Sequence, residues 1–377
     1  MFTNRVIRTL ALAPAMAVAC AGLSACGSSS SNSGSDSPAG KANLAAANAA
    51  IAPYIGKPSA FPVDRPLAKG LPPGKKLAFL QCVTPFCALL AQLHGMAAKE
   101  MGTQLEVVKA TGSSDSIQTA LSSIAAQRPA ALLLPAVNLG ALGGSLAKLT
   151  SAGIPVAGAG VMGGKPQGIA APMNGPYTIG LGGRILADWA IVNGGAQPNV
   201  AFYGVPELDF SKVETAAFKS EIAKNCPSCK VRYVDIPVAT IGNTAPSRVV
   251  SDLQSHPDTK IALFASLESA IGLPAALRTA GLKVKTNGFA PTPSNLADIK
   301  SGGLDAAIGL DAGVLAFSQM DAAVRLATGQ PLTTAEKTGA VPIQLLTKKD
   351  LGSDVSHGWS GYPDFPARFA NLWAAAK

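Results

Sequence analysis

Four short stretches hold residues whose types and spacing could do chemistry. Cys226-Pro227-Ser228-Cys229 has the C-x-x-C spacing of a dithiol that could cycle between reduced and oxidised forms. Gly158-Ala159-Gly160-Val161-Met162-Gly163 fits G-x-G-x-x-G, a loop that brings a pyrophosphate onto a helix N-terminus. Ser145-Leu146-Ala147-Lys148 and Lys337-Thr338-Gly339 fit S-x-x-K and K-T-G, in which a lysine assists the attack of a serine on a β-lactam or peptide carbonyl. Beyond these, His94, His256 and His357 are scattered and no paired carboxylates converge on one place, so no catalytic constellation stands out.

The surroundings of each motif weaken its chemical reading. A redox C-x-x-C follows a strand and opens a helix, whereas this one closes a helix expected over 210–225 and precedes "KVRYVDI". It reads as a structural staple. The glycine loop continues into Gly164-Lys165-Pro166-Gln167-Gly168, which is no helix start, and the next acid is Asp188, so no nucleotide cofactor is expected. Ser145 falls inside a helix expected over 139–152, and no S-D-N or S-x-N lies between the two lysine motifs. An exported penicillin-recognising serine enzyme therefore stands only as an alternative. His94 reads as a partly exposed helix residue, and His256 sits at a helix end where an imidazolium suits the dipole. No catalytic residue and no metal site are assigned.

The N-terminus sets the compartment. Arg5 and Arg8 precede an apolar run over 10–23, too short for the roughly 20 residues of a spanning helix, and small residues lead to Cys26. This is a secretory signal. Leu23-Ser24-Ala25-Cys26 looks like a bacterial lipobox, with cleavage before Cys26 and acylation of its thiol; the serine-rich stretch that follows suits a tether. The expected localisation is extracytoplasmic, on the outer face of the cell membrane, held through the lipid only. Cys20 leaves with the signal and Cys26 is spent on lipid, so Cys82, Cys87, Cys226 and Cys229 remain, most simply as two disulfides, 82 with 87 and 226 with 229. A zinc site from all four has no histidine beside it.

Composition narrows the partners. The 377 residues are 48% hydrophobic and 14% charged, which is globular, with room for two domains. Net charge is +9, but the basic residues form no block and aromatics reach only 5%, so nucleic acid is not expected to bind.

These elements must position any site. Residues 1–25 are signal, 26–40 tether and 41–74 an arm rich in proline and glycine that begins with a short alanine-rich helix. From Lys75 on, short β-prone runs ("KLAFLQ", "QLEVVK", "AALLLP", "IPVAG") alternate with helical segments, and a second series follows from Thr178 to Thr328. The fold class is α/β: two doubly wound parallel-sheet lobes with a hinge between them. The N-lobe is expected over 75–173 plus 311–335, and the C-lobe over 174–310 plus 336–377, the last part being a C-terminal extension. A helix over 266–280 is expected in the C-lobe. Ligands of wound sheets bind beyond the carboxyl ends of the strands, in "QCVTPFC", "LPAVN", "GAGVMGG", "YGVPELDF", "FASLES", "GFAPTP" and "GLDAG".

At "LAFLQCVTPFCALLAQLHGMAAKEMGTQLEVV" the chain resembles the ribose-type substrate-binding proteins of bacterial ABC transporters, which have the type I periplasmic-binding-protein fold. The likeness continues through "AALLLPAVNLGALGGSLAKLTSAGIPVAG" and "NVAFYGVPELDFSKVETAAFKSEI" to "NGFAPTPSNLADIKSGGLDAAIG", covering roughly 75–331. It implies two lobes joined by three crossings, a monomer, a small-molecule ligand in the cleft, and delivery to a permease with its ATPase. An orphan ligand sensor shares this fold.

The departures from the sugar binders carry the expectation about the ligand. Their Asp-Arg pair falls on Gly160 and Val161, their Asn-Asp on Ser266 and Leu267, their turn Asp on Ala290 and their hinge Gln on Leu310. Their Arg aligns without a gap on Lys212, which either faces the cleft or is an ordinary exposed lysine, while their aromatic survives as Phe86. With Gln81, Thr84, Asn138, Met162, Tyr203, Leu208 and Phe210, these residues form the expected ligand site. Sugar hydroxyls buried without partners cost ~1–3 kcal/mol each, so the expected ligand is weakly polar: aromatic, terpenoid or steroid-like, with Lys212 available for a carboxylate. A sugar ligand of the same transporter class is the alternative.

Overall fold

The computed structural model describes residues 42–195 and 197–376, all within one compact unit. The signal, the tether and the lipobox cysteine Cys26 lie outside the described residues.

After α1 (Leu44–Ile51), the N-lobe builds a five-stranded parallel sheet in the order β2-β1-β3-β4-β5. Its strands are β1 (Lys76–Gln81), β2 (Gln104–Lys109), β3 (Ala131–Leu134), β4 (Val156–Ala159) and β5 (Ala171–Met173). The connecting helices are α2 (Pro85–Met101), α3 (Ser114–Gln127), α4 (Leu139–Leu142) and α5 (Ser145–Ser151). A strand covered on both faces reads as an unbroken apolar run, and "KLAFLQ" shows why. Leu77 and Phe79 bury toward the α2 side, whereas Ala78 and Leu80 bury toward α3 and α5.

The C-lobe repeats the plan with α6 (Pro176–Gly194), β6 (Asn199–Gly204), α7 (Asp209–Asn225), β7 (Lys230–Asp235), α8 (Ala245–Ser255), β8 (Ile261–Phe264), α9 (Leu273–Thr279), β9 (Lys285–Gly288), α10 (Pro293–Ser301) and β10 (Ala307–Leu310). Its parallel sheet runs β7-β6-β8-β9, and a bridge from Phe289 to Ile308 brings β10 to its edge. Close helix packing explains the glycines of α6: a Cβ on Gly183 would sit 2.2 Å from the Glu214 carbonyl oxygen of α7.

The chain returns to the N-lobe through α11 (Ala312–Ala327), which packs on β3, β4, β5 and α2, and α12 (Thr334–Thr338), which lies against β5. It then crosses back to β11 (Ile343–Leu346), paired antiparallel with β10. The crossings thus fall after β5, at Asp311, and between α12 and β11, giving the three links that the resemblance implies. Two disulfides join Cys82 to Cys87 and Cys226 to Cys229, with Cα separations of 5.5 and 5.4 Å.

Four features differ from expectation. The helix expected over 139–152 is broken into α4 and α5 at Gly143, whose φ of +52° ends the first piece. The helix expected over 266–280 becomes a 3₁₀ turn, Leu267–Ala270, and α9, separated by Gly272 at φ +84°. His94 is fully buried rather than partly exposed: it lies edge-on to Phe79 and pairs through Nε2 with Gln319 at 3.0 Å, and burial lowers its pKa to about 3. The tail does not stay with the C-lobe. Helix α13 (Phe365–Trp373) packs on α2 and α11 of the N-lobe, where Trp373 stacks on Phe317 and donates Nε1–H to Asp321 at 2.6 Å.

Candidate functional site

The carboxyl ends of the two sheets face each other across a cleft with two contiguous chambers. The inner chamber has a volume of about 60 Å³ and receives groups from both lobes. Thr84, Phe86 and Gly160 enter it from the N-lobe, Leu208, Phe210, Ser266 and Ala290 from the C-lobe, and Leu310 from the hinge. An outer chamber of about 480 Å³ shares Cys82, Thr84, Ala136 and Leu208 with it and extends past Asn138 to Glu207 and Val238. Gly160 is required at the wall. Its φ of +74° is left-handed, and a Cβ there would come within 3.1 Å of the Ala136 Cβ.

Six of the expected site residues line neither chamber. Val161 turns into the core beneath β4, and Leu267 into the core behind β8. Tyr203, at alternating register in β6, points to the α8 side, stacks with Phe264 and donates to Asp252 Oδ2 at 2.7 Å. Met162 packs half-buried beside the main core, and Gln81 ends β1 half-buried. Lys212 is the ordinary surface lysine: its side chain is 57% exposed and binds Asp209 at 3.0 Å. Asn138 lines only the outer chamber, its Oδ1 capping α4 through Gly140 N–H at 2.7 Å.

Two polar residues of the inner chamber were not among the expected site residues. Glu268, 3% exposed, accepts from Ser266 Oγ at 3.2 Å and, across the cleft, from Phe86 N–H at 2.9 Å. The 3₁₀ turn accounts for this placement, since it tucks Leu267 into the core and swings the next side chain to the cleft. Burial raises the pKa of Glu268 against the lowering effect of its bonds from Phe86, Ser266 and Thr84. Asn174, at the first crossing, is 6% exposed, lines the inner chamber and has no partner for Oδ1. An acid in the strand-end loop "FASLES" was the available signal for Glu268; nothing local marked Asn174.

A second carboxylate also spans the cleft. Asp209, in the first turn of α7, accepts from Leu139 N–H of α4 at 2.9 Å through the oxygen not held by Lys212. Each lobe-to-lobe bond thus sets a C-lobe carboxylate on the N-terminal turn of an N-lobe helix, where anions are favoured. The arrangement can enclose a small molecule and exclude water from it. The serine motif takes no part, because neither Ser145 nor Lys337 lines a chamber. Among the described residues no cluster could hold a metal ion, and no helix is long and apolar enough to cross a membrane.

Comparisons with known proteins agree with this architecture. A family model described as a periplasmic binding protein domain matches residues 84–331. No curated protein matches the chain. Among solved structures, a Caulobacter myo-inositol binding protein bound to myo-inositol is 22% identical, with a TM-score of 0.64 over 74% of this chain and 96% of that one. Two solute-binding proteins of ABC transporters from Agrobacterium vitis are also similar. The one bound with alpha-D-tagatopyranose is 21% identical, with a TM-score of 0.62 over 78% of this chain and 98% of its own. The one with bound allitol is 20% identical, with a TM-score of 0.63 over 73% and 96%. At these identities the likeness speaks for the fold alone.

Proposed function

This chain belongs to the periplasmic binding protein domain family, and on that premise we propose that it is the solute-binding component of an ABC importer, closing on a compact sugar or polyol. Family membership makes it an extracytoplasmic binding protein of type I and not an enzyme. The finer reading is a monomer, anchored by lipid at Cys26, that passes its ligand to a permease with its ATPase. The observation that carries the reading is the chamber itself: it lies at the carboxyl ends of both sheets and is closed by groups from both lobes.

The chemistry of the ligand follows from the walls. The similar structures hold myo-inositol, tagatopyranose and allitol, which supports the sugar alternative over the terpenoid or steroid-like ligand expected from the missing polar ring. No lysine or arginine lines either chamber, which removes the basis for a carboxylated ligand. One observation keeps a weakly polar ligand as the second reading: Phe86, Phe210, Leu208 and Phe289 give the inner wall mostly hydrocarbon surface.

Thermal denaturation with myo-inositol, D-tagatose and allitol against aromatic acids, terpenoids and steroid acids separates the two. A ligand at a hundred times its dissociation constant stabilises the protein by about 2.7 kcal/mol, visible as a shift in Tm. A response to the polyol set supports the first reading; a response confined to the apolar set refutes it. For the anchor, Cys26→Ala should release the protein from the membrane fraction, and wild-type protein that never carries lipid would refute that part.

A further inference from the structure

We infer that the inner chamber takes an organic cation, which on the sugar or polyol reading means an amino sugar or amino polyol: a compact molecule whose ammonium group is held by the Glu268 carboxylate and the Asn174 amide oxygen among the rings of Phe86, Phe210 and Phe289. The inference rests on the solute-binding reading and names the ligand class of that same cleft.

Three independent features of the walls converge on positive charge. The first is an acid without a cation. Glu268 is 3% exposed and lines the inner chamber, yet no lysine, arginine or histidine lines either chamber, and the outer one adds another acid, Glu207. Its neighbours offset the charge only in part. The N-terminal turn of α2, reached through Phe86 N–H at 2.9 Å, amounts to about half an elementary charge, and Ser266, at 3.2 Å, and Thr84 give only neutral hydroxyls. A carboxylate has about four lone-pair sites, so acceptor capacity remains for a donor inside the chamber.

The second feature is an unsatisfied acceptor. Asn174 is 6% exposed and lines the same chamber, but its Oδ1 has no hydrogen-bond partner. Buried polar atoms are rarely left in that state, so a ligand donor is the natural complement. The third is the aromatic wall. Rings attract cations through their quadrupole, by about 0.5–1 kcal/mol when exposed and about 2 or more when desolvated. A carboxylate and an amide oxygen between aromatic walls suit an ammonium, which offers donors only. They suit a carboxylate or phosphate ligand poorly, since two acceptors would face an anion. A neutral polyol could use the two acceptors but would leave the acid's charge unmatched.

The test uses matched pairs on the full protein at neutral pH: D-glucosamine against D-glucose, cyclohexylamine against cyclohexanol, and benzylamine against benzyl alcohol, by calorimetry and thermal shift. In at least one pair the amine should bind at least tenfold more tightly than its alcohol. Glu268→Gln, which keeps the size and one acceptor oxygen for Phe86 N–H while removing the charge, should abolish that preference, and Asn174→Leu should reduce it. A pair in which the alcohol binds as well, with no other pair favouring the amine, overturns the inference, as does a preference that survives in Glu268→Gln. If polyols bind and amines gain nothing, the ammonium site is refuted while the solute-binding reading stands. If neither amines, alcohols nor the polyol set binds, both fall.

Discussion

Closure of the cleft should depend on Asp209 more than on its visible ion pair. In Asp209→Ala the Leu139 N–H loses its acceptor at 2.9 Å, and that bond exists only while the lobes are together. A hydrogen bond to a charged group contributes roughly 1.5–3 kcal/mol. Because the Asp209 side chain keeps 22% of its exposure, water replaces part of this bond, and about 1–1.5 kcal/mol is the reasonable loss. The open form never had the contact, so the whole loss falls on the closed state. Where ligand binds only the closed state, apparent Kd should rise about fivefold to tenfold. Lys212→Ala serves as the control: it removes the exposed ion pair at 3.0 Å while leaving the cross-cleft bond, and affinity should change less than about twofold. Calorimetry with whichever probe binds gives the affinity, and small-angle X-ray scattering of the ligand-free protein reports whether the lobes separate. Since Asp209 also sits in the first turn of α7, Tm is measured in parallel. Unchanged affinity and an unchanged scattering profile in Asp209→Ala, or an equal effect from Lys212→Ala, would refute the reasoning.

Replacing both cysteines of either disulfide should cost about 2 kcal/mol in urea unfolding, because each closes a short loop; a loss well above 3 kcal/mol would contradict that. Burial raises the pKa of Asp188 to about 6 in the fold, with Asn225 bonded at 3.0 Å and Glu221 nearby, so its contribution is fully present below the unfolded value and is lost as pH rises through about 6. Asp188→Asn should therefore gain on the order of 2–3 kcal/mol relative to wild type between pH 4 and 7, and a constant difference across that range would count against it. Asp321→Asn leaves Arg325 buried without its nearest anion, but Glu336, 3.6 Å away and with its pKa pushed up by burial and by the neighbouring Asp321, can ionise in its place once that charge is gone. The cost in chemical denaturation should sit near the low end of the roughly 3–5 kcal/mol for a broken buried pair.

The strands that the sequence made legible are the longer ones, in the middle of a sheet or at its edge. "KLAFLQ" and "NVAFYG" are continuous apolar runs and "QLEVVK" a β-branched edge run, and all three strands have the expected bounds. Short or late elements left no such signal. β5 has three residues, one of them Pro172, and β11 depends on its antiparallel partner β10. At the site, legibility followed backbone regularity. Thr84, Phe86, Gly160 and Ser266 each follow a strand closely and line the inner chamber. Leu267 and Glu268 did not follow that rule, because a 3₁₀ turn rotates successive side chains by about a third of a circle, and a reading based on a continuous helix cannot tell which one faces the cleft. Lys212 was left open for a related reason: a gap-free alignment fixes position along α7 but not which side of the helix it occupies, and the structure gives the exposed lysine paired with Asp209.

The chain ends bear on how far the lobes can part. α1 lies on α6 and α7 of the C-lobe, with Asn43 N–H on the Asn225 carbonyl at 2.7 Å, while Leu67 further along the arm binds the Leu372 carbonyl at 2.8 Å, beside the N-lobe helices. The tail makes the same passage, from β11 beside β10 to α13 on α2 and α11. Both passages meet near the hinge. Phe61 packs edge-on against Tyr362 and Phe369, Tyr362 donates its hydroxyl to the Ala60 carbonyl, and Asp311 at the second crossing accepts from Ser360 and Gly361. Arm and tail thus run alongside the three crossings as further links between the lobes. Opening must bend them too, and their intervening stretches contain only short turns, so the bend falls on backbone with few internal hydrogen bonds to break. The physical consequence is that arm and tail must bend together with the three crossings, and the clasp between Asp209 and Leu139 is a further lobe-to-lobe bond that has to break when they do.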